Sequence, residues 1–287
     1  MKSYMHIRLF IVIFLAAVFS CKEENVQLPA LDVNYQVSVS GYEVSFTNQT
    51  EGGTAYRWDF GDGESSTEEN PSHTYPNKGK FVATLYVTAA NGKVVEGSTV
   101  IRISKASPVK IDDQSLADWD EITENRIQPG TAGGIIHEIK LDYDGNYIYV
   151  YGDLQTKQAN GDIFDIYMDS DNDAGTGLLT GTFKEGGFDI LLEGVLLKGQ
   201  LDIFYHNGAQ TDFSFDQQSI AEAYQLGTVI SSGSQVRFEM RIDRTKLKNL
   251  TGTGMRIGFN AVKNDWSASI GFAPAEGDAA YYLNMED

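Results

Sequence analysis

Residues 162–169 read Asp162-Ile163-Phe164-Asp165-Ile166-Tyr167-Met168-Asp169. They run into Ser170-Asp171-Asn172-Asp173-Ala174-Gly175-Thr176-Gly177, and after a glycine-bearing stretch from Gly181 to Gly187 the chain resumes as Phe188-Asp189-Ile190-Leu191-Leu192-Glu193. Phe164, Ile166 and Met168 share one side of an extended chain and Asp165, Tyr167 and Asp169 the other, the period-two pattern of a half-buried strand. Phe188, Ile190 and Leu192 against Asp189 and Glu193 repeat the pattern, so a second strand is expected after Gly187. A carboxylate-dense loop is held between two strands.

Asp169, Asp171 and Asp173 at alternate positions suggest a hard-cation site, because Ca2+ takes about six to eight oxygen ligands in irregular geometry. The spacing is not that of an EF-hand: the glycine falls one place too late, and Thr180 stands where that loop needs its bidentate glutamate. A solvated polar turn, with Asp and Asn bonding their own backbone, fits the same residues.

The chain has 287 residues, enough for two domains with real cores. Against 22 Lys and Arg stand 40 Asp and Glu, and the formal charge of -18 argues against a nucleic-acid partner, whose binding rests on clustered Lys and Arg. Such a surface favours solubility and divalent cations. Abundant glycine, scarce proline and many Tyr and Phe fit strands joined by turns.

Residues 1–20 have the plan of a signal peptide, with Lys2 and Arg8 before an apolar run from Leu9 to Phe19 that is short for a bilayer span. Val18-Phe19-Ser20-Cys21 resembles a bacterial lipoprotein signal, which implies lipidation of Cys21, the lone cysteine; an ordinary secreted protein cleaved nearby is the alternative. Lys22-Glu23-Glu24-Asn25 resembles the surface-export signal of Bacteroidetes lipoproteins. That resemblance implies a tether over 21–30 and a place on the outer face of the outer membrane, held there only by lipid.

Residues 31–104 form a compact strand-rich module. Tyr35, Val37 and Val39 alternate, as do Val44 and Phe46, and Phe81, Ala83, Leu85 and Val87, while Asn91-Gly92 marks a hairpin before Val94 to Ile103. Tyr56-Arg57-Trp58-Asp59-Phe60-Gly61-Asp62-Gly63, Asn70-Pro71-Ser72-His73-Thr74-Tyr75 and Gly79-Lys80-Phe81 resemble a PKD domain, which implies an immunoglobulin-like sandwich. Trp58 and Phe60 share one strand face and suit the space between two sheets. Asp59, Asp62 and His73 are expected to serve the turn and the packing, and the module to act as spacer or interaction domain.

A linker, 105–111, leads to residues 112–287. There Ile148 and Val150 alternate with Tyr147, Tyr149 and Tyr151, and Val236, Phe238, Met240 and Ile242 with Arg237, Glu239 and Arg241; Asp243 is placed to cap a short helix through Leu250. Eight or more strands predict a second, larger β-sandwich, so the fold class is all-β with two sandwiches in tandem.

Asp118-Trp119, Leu141-Asp142-Tyr143-Asp144-Gly145-Asn146-Tyr147, the stretch from Tyr167 to Gly177, and Gly187-Phe188-Asp189 through Gly194 resemble, in that order, the sandwiches related to family 9 carbohydrate-binding modules and the DOMON superfamily. The resemblance implies a sugar or haem ligand, a structural Ca2+ at Asp169, Asp171 and Asp173, and a packing role for Trp119. Haem is disfavoured, since His137 and His206 lack a Met or His partner in an obvious loop.

Sugar binding needs flat aromatic faces with amides and carboxylates beside them. Trp266, in the polar turn Lys263-Asn264-Asp265-Trp266-Ser267, is the leading candidate, with Asn264 beside it; a Trp266 folded back on the core is the other reading. Tyr149 and Tyr151 either line a concave sheet or pack across strands. No His-Glu-x-x-His, paired cysteines or phosphate loop is present, so catalysis is not expected. The sequence thus predicts a surface lipoprotein that binds a polysaccharide or oligosaccharide, resembling those that accompany outer-membrane transporter complexes. An adhesion or assembly protein is the rival, and an accessory or weak glycoside hydrolase the third reading.

Overall fold

A computed structural model of the protein describes residues 31–220, 222–250 and 253–286. The expected signal peptide (1–20), the lipidation of Cys21 and the tether (21–30) lie outside the described residues. Among those residues no helix is long and apolar enough to cross a membrane.

The first sandwich contains β1 (Tyr35–Ser40), β2 (Glu43–Asn48), β3 (Gly53–Asp59), β4 (Ser65–Ser66), β5 (Ser72–Thr74), β6 (Gly79–Ala89) and β7 (Val94–Ile103). They form two sheets, ordered β1-β2-β5 and β4-β3-β6-β7. Between the sheets Trp58 is fully buried, with the ring centroids of Phe46 and Tyr35 at 4.8 and 4.9 Å. His73 stacks on Phe60 at 4.1 Å and sets its Nε2 2.7 Å from Asp62 Oδ2, while Tyr75 donates its hydroxyl to the Phe60 carbonyl at 2.9 Å. Asp59 and Asp62 accept from the Gly61 and Glu64 amides, closing the turn. Gly61 sits at φ +81° with its backbone against β6, where a Cβ would meet the Val82 carbonyl oxygen at 2.5 Å.

The second sandwich contains β8 (Arg126–Ile127), β9 (Ile136–Tyr143), β10 (Tyr147–Leu154), β11 (Ile163–Asp169), β12 (Ile190–Val195), β13 (Gln200–His206), β14 (Phe215–Gln218), β15 (Tyr224–Ser232), β16 (Gln235–Asp243), β17 (Gly254–Val262), β18 (Ser269–Ala273) and β19 (Tyr281–Asn284). A five-stranded sheet runs β15-β16-β10-β9-β8; a seven-stranded sheet runs β14-β13-β12-β11-β17-β18, with β19 also paired to β17. Ile148, Val150, Phe238 and Met240 from the small sheet meet Phe164, Ile166, Met168, Leu192 and Phe259 from the large one in a single buried cluster. Each such side chain contributes ~2 kcal/mol by leaving water, which is why the alternation seen in the sequence fixes which faces turn inward.

The outer face of the small sheet corrects one expectation. Tyr149 and Tyr151 are only 6% and 8% exposed and line no open surface, because the segment before β8 folds back as a strap and packs Val109, Ile111, Leu116, Trp119 and Ile122 on them. The Tyr149 hydroxyl donates to Asp144 Oδ2 at 2.8 Å, so its polar end is satisfied under that cover. Trp119 Nε1 donates to Glu239 Oε2 at 3.0 Å, the other Glu239 oxygen accepts from the Thr228 amide at 3.2 Å, and Lys140 Nζ donates to the Trp119 carbonyl at 2.7 Å. Since Val109 and Ile111 belong to this cluster, the second unit starts its packing inside the segment 105–111 that composition marks as linker. Asp243 does cap a turn, accepting from the Thr245 amide at 2.9 Å, but only the single 3-10 turn Arg244–Lys246 follows.

Candidate functional site

Asp169 ends β11 and Asp189 immediately precedes β12, with the Asp189 amide bonded to the Met168 carbonyl at 3.0 Å. The strand pair thereby brings together Asp169, Asp171 and Asp189, one ligand oxygen from each lying within 4.8 Å of the others. The expected set of Asp169, Asp171 and Asp173 is corrected at its third member. Asp173 is exposed and uses Oδ1 to accept the Gly175 amide at 2.8 Å, so it shapes the turn instead of joining the cluster. Asp189 was legible only as the polar partner of Phe188 and Ile190; its nearness to Asp169 comes from strand pairing.

Asp169 is 1% exposed; its Oδ2 accepts the Gly187 amide at 3.3 Å, and its Oδ1 is buried with no hydrogen-bond partner among the described residues. Burial, together with the charges of Asp189 and Asp171, pushes the Asp169 carboxyl up to about 6, and burial and Asp171 raise Asp189 as well. A buried carboxylate oxygen without a donor is costly unless a cation or proton meets it. All-oxygen donors at this spacing suit a hard divalent ion. The loop is clamped around the cluster: Thr176 Oγ1 donates to Asp171, and Gln210 Nε2 donates to the Ala174 and Thr176 carbonyls at 2.9 and 2.8 Å.

Trp266 lies at the other end of the large sheet. The registers Ile163↔Val262 and Asp169↔Arg256 place the β17–β18 turn and the aspartate loop at opposite ends of β11, six residues and thus ~20 Å apart. The turn is closed by the Lys263 amide on the Ala268 carbonyl (3.0 Å) and the Trp266 amide on the Lys263 carbonyl (2.9 Å). Asn264 Nδ2 ties it to the Asn160 carbonyl at 2.7 Å. Trp266 is 55% exposed and holds φ +60°, a left-handed backbone that costs a bulky residue of order 1 kcal/mol or more. The indole does not fold back on the core. Of the four expected ligand residues, Trp266 and Asn264 share this turn, while Tyr149 and Tyr151 lie on the opposite sheet under the strap.

Across the outer face of the large sheet, between these two ends, runs a polar row that the sequence did not single out. Asp202, Glu193, Asp165 and Asn260 are direct cross-strand partners on β13, β12, β11 and β17. Burial and then the Glu193 charge push Asp165 up to about 7; burial and Asp202 raise Glu193. Between pH 4 and 7 the folded chain therefore holds a proton that the unfolded chain has released, so stability must fall as pH rises through that window. In chelator, the free energy of unfolding is expected to drop by up to about 4 kcal/mol from pH 4 to pH 7.5 on account of this pair. Asp165→Asn flattens the slope; equal slopes for the two proteins in denaturant melts would refute the assignment.

Residues 30–103 match the family of the PKD domain, so the first sandwich is a PKD domain. The second sandwich places the chain in a class with two tandem β-sandwiches, and three similar proteins accompany it. Collagenase ColA of Clostridium perfringens is 28% identical over 173 residues, 58% of this chain and 15% of that protein. The chain spans only 6–15% of the length of the curated collagenases it matches. The PKD1 domain from the Vibrio cholerae metalloprotease PrtV is 31% identical and covers 26% of this chain and 96% of its own, with a TM-score of 0.25. A solved carbohydrate-binding module of the β-sandwich superfamily is 13% identical, covering 89% of this chain and 98% of its own, with a TM-score of 0.31.

Proposed function

We propose that the chain is a non-catalytic glycan-binding protein in which the PKD domain spaces the second sandwich away from a lipid anchor at Cys21. It would stand on the outer face of the outer membrane, beside a transporter that imports the bound polysaccharide or oligosaccharide. The observation that carries this reading is Trp266, a large indole presented to solvent on a turn that is hydrogen-bonded internally and tied to the neighbouring loop. An exposed flat ring held in place suits the apolar face of a pyranose. Ca2+ at Asp169, Asp171 and Asp189 is assigned a structural role, pinning β11 to β12.

Hydrolysis is disfavoured at the acid row: Asp165 and Glu193 are direct cross-strand partners, side by side on one sheet face, whereas a glycosidase sets its two carboxyl groups on either side of the scissile bond. The assembly reading has one observation of its own, the exposed Phe213 and Leu179 beside the aspartate loop. The deciding experiment is polysaccharide affinity electrophoresis of residues 22–287. The protein is expected to be retarded by at least one glycan, and Trp266→Ala to abolish the shift while changing stability by less than ~0.5 kcal/mol, as for a surface site. No retardation across a broad panel, or an unaltered shift in the variant, overturns the reading.

A further inference from the structure

We propose that Asp165, Glu193 and Asn260 form a second divalent-cation site on the outer face of the seven-stranded sheet, separate from the aspartate loop. The register sets three carboxylates directly opposite one another on β11, β12 and β13. Like charges directly opposed on neighbouring strands destabilise a sheet. The charged groups acting on the pair are themselves acidic, Glu193 on Asp165 and Asp202 on Glu193, so the row calls for a counter-charge.

A second observation comes from the neutral member. Asn260 is 7% exposed and Asp165 6%. Asn260 Nδ2 donates to Asp165 Oδ2 at 3.1 Å, and this one bond leaves the Oδ1 atoms of both side chains buried with no hydrogen-bond partner among the described residues. Each such orphan costs about 1–3 kcal/mol. A proton on Asp165 would relieve the carboxylate pair but leaves the Asn260 carbonyl oxygen unmet; a cation between them meets both oxygens.

The donor set is all oxygen, two carboxylates and a carboxamide, which suits Ca2+, Mg2+ or Mn2+. Glu193 is half-buried and Asp202 exposed, so the site opens on one side and the ion keeps water there. Asp165 and Asp169 are four residues apart along β11, ~13 Å, too far for one ion to serve both clusters.

Calcium titration of chelator-stripped residues 22–287 by calorimetry tests the assignment. Two variants separate the sites: Asp171→Asn/Asp189→Asn disables the loop, and Asp165→Asn/Glu193→Gln, near-isosteric, disables the row. Two ions are expected for the parent, one for either variant and none for the combination. If the loop holds no ion but the row does, the parent binds one ion that only the row variant loses, which upholds this site and refutes the loop alone. A row variant that binds as many ions as the parent with unchanged affinity overturns the proposal. So does a loop variant that binds none while its circular dichroism and melting remain those of a folded chain. Mn2+ added to the loop variant should broaden the amide resonances of Asp165, Glu193 and Asn260 first; broadening elsewhere with these unaffected also overturns it.

Discussion

Trp119→Ala should destabilise the second sandwich by about 3–5 kcal/mol, the range for a buried tryptophan emptied to alanine. The indole is 1% exposed and sits in the strap, with its ring centroid 5.6 Å from that of Tyr151. Three losses coincide. The ring volume goes, the cover over Tyr149 and Tyr151 loosens, and Glu239, itself 1% exposed, loses the donor to one carboxylate oxygen. Burial already raises the Glu239 pKa, so removing a donor that favours its charged form makes that burial costlier. Calorimetry should show the transition of the second sandwich fall by about 10 °C, with that of the PKD domain unmoved. Trp119→Phe, which keeps most of the volume but not the N–H, should cost about 1–3 kcal/mol. A change under 1 kcal/mol for Trp119→Ala would show that the strap is not clamped by this residue.

Calcium should raise the melting temperature of the second sandwich, and a chelator should lower it. An ion at about a hundred times its Kd stabilises by ~2.7 kcal/mol, or roughly 5–10 °C for a unit of this size. The choice between Asp173 and Asp189 makes the test specific. Asp189→Asn removes a cluster oxygen and should abolish the share of the calcium effect that comes from the loop, whereas Asp173→Asn touches a turn hydrogen bond and should leave it. Because Trp266 lies at the other end of β11, glycan retardation at a temperature well below melting should survive the chelator. A melting temperature indifferent to both calcium and chelator would make the loop a plain polar turn.

The strands were legible because each sandwich turns one face to a core, and Phe164, Ile166, Met168 or Val236, Phe238, Met240 print that face as an alternation. The PKD domain was legible through the resemblance carried by residues 56–63, 70–75 and 79–81, whose Trp58, Phe60 and Tyr75 form its core. What periodicity could not show was which outer face is covered. Tyr147, Tyr149 and Tyr151 have the same spacing whether open or roofed, and the roof is built from Val109, Ile111, Leu116 and Ile122, which follow no period of their own. Nor could spacing along the chain reveal Asp189 beside Asp169 or Asn260 beside Asp165, since those neighbours exist only through strand register.

The strap also decides how force travels. The chain leaves β7 of the PKD domain, passes residues 105–111 and seats Val109 and Ile111 directly on the tyrosines of the small sheet. Tension entering from the PKD side is therefore taken up first by that seam, with Trp119 and Glu239 as its latch. The sheet that carries Trp266 lies on the far side of the core from the seam. The seam that a pull along the chain meets first and the exposed aromatic surface therefore belong to different sheets.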